Sequence, residues 1–151
     1  MDYTFEHLRE SDVGLLKSLL QVFGRAFDDI ETYEAAVPRD EYLRSLLAQP
    51  HFIVVVARCG DTVVGGLAAY VLDKFERERR EIYIYDLAVA AEHRRRGVAT
   101  GMIRTLKRIA RERRAYVIYV QADQGDTPAI RLYESLGTRE DVHHFDIVVN
   151  D

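Results

Sequence analysis

Apolar positions in the first third of the chain change from strand spacing to helix spacing. Residues 3–9 alternate between apolar and polar side chains, which predicts a short β-strand. Beyond Ser11, a residue type favoured at helix N-caps, apolar residues recur at helical spacing as far as Gly24 and predict a helix. A second helix is predicted over 38–49, and residues 28–37 between the two helices are interpreted as a loop.

The rest of the chain alternates strand and helix patterns. Runs rich in valine and isoleucine predict further strands over the segments 51–59, 62–72, 81–89, 115–121 and 142–149. Amphipathic spacing predicts helices over 97–113 and 127–136. The glycine pair Gly65-Gly66 predicts a bulge or a close backbone approach inside a strand. The order β-α-α-β-β-β-α-β-α-β indicates a mixed α/β sheet.

The composition is that of one globular domain, predicted to span residues 1–151. Apolar residues make up 48% of the chain and charged residues 30%, which is enough apolar material for a single core. No apolar run approaches the roughly 18 residues that cross a bilayer, so no membrane partner is expected. The only cysteine, Cys59, excludes an internal disulfide and favours a reducing compartment, so a cytoplasmic location is expected.

The charge pattern favours small charged ligands over nucleic acid. A net charge of −4 argues against nucleic acid as a partner and is compatible with a cationic small molecule. Basic residues cluster at 94–96, whereas the last 30 residues contain Asp123, Asp126, Asp141 and Asp146. One site for an anion and another for a polycationic amine would produce this pattern. Solvated surface charge would produce it as well, and both interpretations stay open here.

The segment from Glu92 to Thr100 lies between a predicted strand and a predicted helix and has the character of a phosphate-binding loop. A helix start presents free backbone N–H groups and the positive end of the helix dipole. Gly97 and Ala99 lack bulk, so an anion can approach the backbone, and the arginines add charge-assisted donors. The spacing is neither that of a dinucleotide-binding loop nor that of a Walker loop. A basic, solvated helix start is the alternative.

The loop carries Arg94-x-x-Gly97-x-Ala99, and this resembles the pyrophosphate signature Gln/Arg-x-x-Gly-x-Gly/Ala of the GNAT acetyltransferases. The resemblance implies the GNAT fold: a central, mostly antiparallel sheet with a splayed strand pair and flanking helices. It also implies acetyl-CoA as the cosubstrate. The residues implied to contact acetyl-CoA are Leu87, Ala88, Val89, Arg94, Arg95, Arg96, Gly97, Val98, Ala99 and Thr100.

A second motif of the same family falls in the predicted helix 127–136. Residues 129–137 resemble the pattern A-x-x-L-Y-x-x-x-G, in which the tyrosine commonly protonates the departing thiolate of coenzyme A. By this resemblance Tyr133 is the candidate general acid. The alternative is a helix residue that only packs on the sheet.

The resemblance extends to a narrower class, the small aminoglycoside 3-N-acetyltransferases of the gentamicin acetyltransferase I type. It is carried by segments 67–72, 74–76, 81–89, 92–95, 115–123 and 144–147. It implies transfer of an acetyl group to an aminoglycoside, at the 3-amine of 2-deoxystreptamine, by direct attack in a ternary complex. The alternatives are a GNAT enzyme for another small amine, such as a polyamine or an amino-acid metabolite, or for a protein N-terminus, and a non-catalytic acyl-CoA-binding module.

The general base is expected among the acidic residues of the second half of the chain. The resemblance implies a bulge in the strand before the phosphate loop, at the segment 86–89. Asp86 lies beside that bulge and is the first candidate, with Glu81, Asp146 and a water relay as alternatives. A structural hydrogen bond at a strand end is the other interpretation of Asp86. Glu81, Asp123, Asp126 and Asp146 are expected to line the acceptor site, although Asp126 is equally suited to cap the following helix.

No metal site is expected, because the five histidines lack the spacing of metal ligands. His143 and His144 are adjacent, so on a strand they would face opposite sides. Dimers are common in the family that the chain resembles, which implies a homodimer as a candidate assembly.

Overall fold

The computed structural model describes residues 1–150 and divides the chain into two compact units, residues 1–121 and the residues from 122 onward. Within the described residues, no helix combines the length and the apolarity that crossing a bilayer requires.

The first unit contains a five-stranded sheet in the order β1-β2-β3-β4-β5. Its strands are β1 (Tyr3–His7), β2 (Phe52–Cys59), β3 (Thr62–Lys74), β4 (Arg79–Val89) and β5 (Ala115–Val120). The first four strands pair antiparallel, and β5 joins β4 in parallel. This is the mixed, mostly antiparallel sheet that the sequence predicts, and the fold class is confirmed.

Four helices belong to this unit: α1 (Val13–Ala26), α2 (Ile30–Glu34), α3 (Asp40–Ala48) and α4 (Val98–Glu112). Ser11 lies in a 3₁₀ turn instead of capping α1, so that detail of the prediction is wrong. The loop predicted over 28–37 is also wrong, because it contains α2. This short helix is capped by Asp29, whose carboxylate accepts the Thr32 N–H at 3.2 Å.

Helices cover both faces of the sheet and bury it. Six consecutive residues of β2 are buried, which requires cover on both sides of the strand. Val54 and Val56 pack in a core cluster with residues of α1 and α3, and α4 contacts all five strands. The close approach predicted at the glycine pair is present, because a Cβ at Gly66 would overlap Leu19 of α1. A Cβ at Gly65 would lie 2.9 Å from the carbonyl oxygen of Ala88.

The second unit consists of α5 (Thr127–Leu136) and the segment that follows it. The bounds predicted for α5 are confirmed, and Asp126 caps it by accepting the Ala129 N–H at 3.4 Å. The strand predicted over 142–149 is wrong, since residues 138–150 contain no strand. An alternating apolar pattern forms a strand only where another strand supplies ladder hydrogen bonds, and this segment pairs with none in the described chain.

Candidate active site

The pairing of β4 with the parallel strand β5 ends part-way along β4. Their pairing runs from Arg80 to Ile84 on β4 and ends at Val120 on β5. From Asp86 to Val89, β4 stays paired with β3 but has no partner on its other edge within the first unit. The backbone N–H and C=O groups along that edge are therefore free to bind an extended ligand, as a missing strand would.

A β-bulge in β4 follows directly on the last residue that pairs with β5. Ala68 of β3 faces Asp86 and the next residue, Ala69, faces Ile84, so Tyr85 is the extra residue of β4. A bulge of this kind re-aims the side chains that follow it. The bulge that was expected beside Asp86 is thus present, and it lies where β4 leaves β5.

The Asp86 carboxylate is half-buried and hydrogen-bonded. The hydroxyl of Tyr33, on α2, donates to its Oδ1 at 3.3 Å. Burial raises the pKa of the Asp86 carboxyl above its usual value, and the hydrogen bond from Tyr33 lowers this pKa in part. Burial, together with the Asp86 charge, raises the pKa of the Tyr33 hydroxyl to about 12. A carboxylate whose pKa moves towards neutrality is a better general base than an exposed one.

The raised pKa of Asp86 predicts how the free energy of unfolding changes with pH. The folded protein binds this proton more tightly than the unfolded chain does. The free energy of unfolding of the wild type therefore falls as pH rises from about 4 through the raised pKa of Asp86. Asp86→Asn keeps the acceptor for Tyr33 and removes the charge. We expect its free energy of unfolding to exceed that of wild type at neutral pH, by an amount that shrinks as pH falls towards 4.

Denaturant unfolding of both proteins across that pH range measures this difference. A wild type that is more stable than Asp86→Asn at neutral pH would contradict the assignment of a raised pKa.

Four tyrosines form a surface beside Asp86, here named the tyrosine surface: Tyr70, Tyr83, Tyr85 and Tyr119. Tyr83 lies in register with Tyr70 on β3 and with Tyr119 on β5, so the three share one sheet face. The rings of Tyr83 and Tyr119 stack at a centroid distance of 4.7 Å, and the edge of Tyr85 meets Tyr70 at 6.2 Å. Tyr85 is 65% exposed. Aromatic surfaces next to a carboxylate suit cationic, ring-shaped ligands.

The loop after β4 turns sharply into α4. Arg94 fixes the turn, since its Nε donates to the carbonyl oxygen of Val89 at 3.0 Å. Arg95 and Gly97 both have positive φ, 61° and 77°, and Gly97 is the N-cap of α4. The Gly101 N–H bonds the Gly97 carbonyl, so the amides of residues 98–100 precede the first helical hydrogen bond. This is the free helix start that the sequence predicts for a phosphate.

Glu81, the alternative base, lies away from the point where the pairing of β4 with β5 ends. It is five residues before Asp86 on β4, a distance of roughly 16 Å along an extended strand. Its carboxylate accepts the Tyr116 hydroxyl and lies 3.8 Å from the Lys74 ammonium. The structure therefore places Asp86, and not Glu81, at the bulge.

The other predicted site residues belong to the second unit. Tyr133 lies on α5, and burial, with the Asp126 charge, raises the pKa of its hydroxyl to about 12, so the hydroxyl stays protonated at neutral pH. Asp126 holds the N-cap position that was one of its two interpretations. Asp123 is exposed, and Asp146 accepts His144 Nε2 at 2.9 Å. The roles of these residues in catalysis and acceptor binding stay predictions.

Neither Tyr33 nor the tyrosine surface was among the candidate site residues predicted from the sequence. The contact between Tyr33 and Asp86 joins residues 53 positions apart, and no local pattern predicts such a contact. Part of the tyrosine surface could have been found from the sequence. Tyr83 and Tyr85 alternate with buried Ile84 on a predicted strand, which indicates that the two tyrosines lie on the other face.

A surface concavity of about 500 Å³ lies elsewhere and is not the candidate site. Two of its three arginines are already engaged: Arg80 pairs with Asp73 at 2.7 Å, and Arg113 donates to the Pro50 carbonyl. Among residues 1–150 no cluster of three or more His, Cys, Asp or Glu side chains is arranged to hold a metal ion. The expected absence of a metal stays a prediction.

Comparison with known proteins connects this geometry to a family. The sequence model of the Acetyltransferase (GNAT) family matches residues 16–138, across the boundary between the two units. An aminoglycoside acetyltransferase from an uncultured soil metagenomic sample is 53% identical, with 99% of this chain and 100% of that chain covered and a TM-score of 0.98. A second such enzyme from soil, solved in complex with sisomicin, is 32% identical over 98% of this chain and 97% of that chain, with a TM-score of 0.90.

A curated relative shares less of its length. N-acetyltransferase 8B of Rattus norvegicus is 27% identical over 90 residues, which are 60% of this chain and 40% of the relative. The chain thus spans less than half the length of that relative.

Proposed function

This chain belongs to the GNAT family of acetyltransferases, and from that premise we propose that it transfers an acetyl group from acetyl-CoA to an aminoglycoside, at the 3-amine of 2-deoxystreptamine. The observation that carries the proposal is the full-length similarity, at 53% identity, to an aminoglycoside acetyltransferase. The half-buried carboxylate beside the unpaired edge of β4 supports it independently.

Two segments of the first unit fit acetyl-CoA. The unpaired edge of β4 from Asp86 to Val89 offers backbone donors and acceptors to the pantetheine arm, whose amides are complementary to a strand edge. The amides that open α4 and the side chains of Arg95 and Arg96 face the pyrophosphate in this proposal. When bound, acetyl-CoA supplies an activated thioester. In this proposal a backbone N–H of residues 87–89 stabilises negative charge on the carbonyl oxygen of the thioester.

Asp86 acts as the general base in this mechanism. An aminoglycoside amine is protonated at neutral pH and must lose its proton before it attacks. The buried, Tyr33-bound carboxylate first attracts the ammonium group and then removes the proton. Tyr133, by resemblance to the family, returns a proton to the sulfur of the leaving thiolate. The protonated state of its hydroxyl at neutral pH is the state this role requires.

The acceptor is proposed to lie against the tyrosine surface. Its exposed ring edges and faces suit a polycationic carbohydrate, because apolar ring faces pack on tyrosine and ammonium groups are attracted to aromatic faces. Glu81, Asp123, Asp126 and Asp146 are proposed to pair with the remaining ammonium groups.

An amine panel tests the proposed acceptor class. Release of free thiol from acetyl-CoA is measured with gentamicin, a polyamine, free amino acids and a peptide with a free N-terminus. We expect the highest kcat/KM with gentamicin. Turnover confined to another amine would move the function to that class, and binding of acetyl-CoA without turnover of any amine would indicate a binding module.

Gly97 provides a test of the acetyl-CoA site with a matched control. Gly97 and Gly60 both have positive φ, and a Cβ at either would meet no atom within 4 Å. Alanine at either position therefore costs a similar strain, roughly 1–2 kcal/mol. Only Gly97→Ala is expected to weaken acetyl-CoA binding, because its Cβ blocks the close approach of the pyrophosphate to the backbone. If that costs one charge-assisted hydrogen bond, about 1.5–3 kcal/mol, the affinity falls by about tenfold or more.

Calorimetric titration with acetyl-CoA compares the two variants with wild type. Equal affinities in Gly97→Ala and Gly60→Ala would remove the loop before α4 from the proposed site.

A further inference from the structure

The edge strand β1 packs against the start of α4. Tyr3, Phe5 and His7 share one face of this strand, because alternate residues of a strand point the same way. A Cβ at Gly101, in the first turn of α4, would overlap the Phe5 ring, so this ring lies against the backbone of the helix. The face of β1 that carries Tyr3 is therefore the face on which α4 begins.

Tyr3 makes a hydrogen bond to the segment that precedes this helix. Its hydroxyl oxygen lies 3.0 Å from Nδ1 of His93, and the two rings meet edge to face at a centroid distance of 5.8 Å. The hydroxyl also lies 3.7 Å from the thioether sulfur of Met1, which is a weak acceptor. The single hydroxyl proton is therefore donated to Nδ1, and the neutral imidazole of His93 carries its own proton on Nε2.

The loop that follows His93 contains a residue in a strained conformation. Arg95 is not a glycine, yet its φ is 61°, in the left-handed region that side chains disfavour. Such a conformation persists only where the surrounding contacts hold it. Arg94 makes a local contact, from its Nε to the Val89 carbonyl, whereas the hydrogen bond from Tyr3 joins the loop to a strand 90 positions away in sequence.

We propose that Tyr3 is a positioning residue for acetyl-CoA, which acts through His93 on the loop 94–97 and on the free amides of residues 98–100. The inference rests on the proposed function, because the ligand of this loop is there the pyrophosphate of acetyl-CoA. With the hydrogen bond in place, the loop has its binding conformation before the ligand arrives. Without it, the ligand must order the loop, and the affinity falls.

The position of Tyr3 predicts which part of the cosubstrate is affected. The loop is proposed to bind the phosphates, whereas the pantetheine arm is proposed to pair with the edge of β4 from Asp86 to Val89. Acetyl-pantetheine has the same thioester and arm but lacks the nucleotide and its phosphates. Loss of order in the loop should therefore weaken acetyl-CoA and leave acetyl-pantetheine unchanged, whereas a general loss of structure would weaken both acetyl donors.

The first test compares the two acetyl donors in Tyr3→Phe, which removes the hydroxyl and keeps the ring. With saturating gentamicin, we expect kcat/KM for acetyl-CoA to fall about three- to tenfold through a higher KM, with kcat unchanged, because one neutral hydrogen bond is lost. We expect kcat/KM for acetyl-pantetheine to equal that of wild type. An unchanged KM for acetyl-CoA, or an equal loss with both donors, would overturn the inference.

Tyr116→Phe is the matched control for binding. It also removes a hydroxyl that makes one side-chain hydrogen bond, in this case to Glu81. Calorimetric titration with acetyl-CoA is expected to give the wild-type Kd for this variant and a higher Kd for Tyr3→Phe. A wild type that binds no acetyl-CoA would overturn the proposed function, and this inference with it. A wild type that binds acetyl-CoA as tightly as Tyr3→Phe does would overturn this inference alone.

The second test shows whether Tyr3 acts through His93. His93→Ala removes the acceptor, so we expect about the same loss of acetyl-CoA affinity as in Tyr3→Phe, and no greater loss in the double variant. His93→Asn keeps an acceptor at the δ position of the side chain and is expected to retain the wild-type affinity. An unaltered affinity in His93→Ala, or losses that multiply in the double variant, would contradict the inference. Circular dichroism of each variant confirms that it is folded.

Discussion

Asp86→Asn is expected to lower kcat by about 10²–10⁴ with little change in acetyl-CoA affinity, because the amide cannot accept the proton of the attacking amine. Asparagine has the shape of aspartate and still accepts the hydrogen bond from Tyr33. The same substitution is expected to raise stability at neutral pH, so the loss of rate cannot come from unfolding. Steady-state kinetics with gentamicin and acetyl-CoA measure the effect.

The pH profile distinguishes a base from a cation anchor at this position. Asp86 must be ionised to act as a base, so kcat/KM is expected to fall as pH drops through its raised pKa. Tyr33→Phe removes the hydrogen bond that lowers this pKa, and the acidic limb should then move to higher pH. A drop in aminoglycoside binding with kcat unchanged in Asp86→Asn would make Asp86 an anchor only.

Tyr133→Phe is expected to produce the second large effect, a fall in kcat of about 10²–10⁴ with acetyl-CoA affinity nearly intact. The substitution keeps the ring of a half-buried residue and removes only the hydroxyl that would protonate the thiolate. Tyr42→Phe, at an exposed position on α3, is the control for loss of a tyrosine hydroxyl and should keep wild-type kcat.

A kcat for Tyr133→Phe within a factor of about two of wild type would assign Tyr133 to packing. A large fall in acetyl-CoA affinity at unchanged kcat would assign it to binding instead. Either outcome would leave the protonation of the thiolate to another group.

The strand, loop and helix start of the proposed cofactor site could be predicted because their signals are local. The start of α4 is encoded by Gly97, which must adopt positive φ, followed by the amphipathic pattern of the helix. The strand before it is encoded by alternating apolar residues such as Ile82 and Ile84, both buried. Strand, loop and helix follow one another along the chain, so their order alone brings the unpaired backbone of β4 next to the helix start.

The acceptor half could not be predicted in the same way, because it depends on contacts between distant segments. Residues 28–37 have no hydrophobic period, yet α2 forms there with Tyr33 packed against Phe23 and Phe27 of the preceding segment. That packing positions the Tyr33 hydroxyl on Asp86. An aromatic cluster and a hydrogen bond between distant segments form this part of the site. Neither produces a periodic pattern in the sequence.

Residues 142–149 show the limit of a strand pattern. Phe145, Ile147 and Val149 alternate as a strand should, but a strand also needs a neighbour for its backbone. Residues 138–150 form no ladder in the described chain, so the alternating pattern produces no strand there.

The most direct test of the central proposal is to locate the transferred acetyl group. Acetyl-CoA with an isotope-labelled acetyl group is incubated with gentamicin and the protein, and the product is analysed by mass spectrometry and NMR. We expect a single labelled acetyl group on the 3-amine of 2-deoxystreptamine, and no reaction with gentamicin that is already acetylated there. A label on a different amine would contradict the proposed regiochemistry, and the absence of any labelled aminoglycoside would contradict the proposed function.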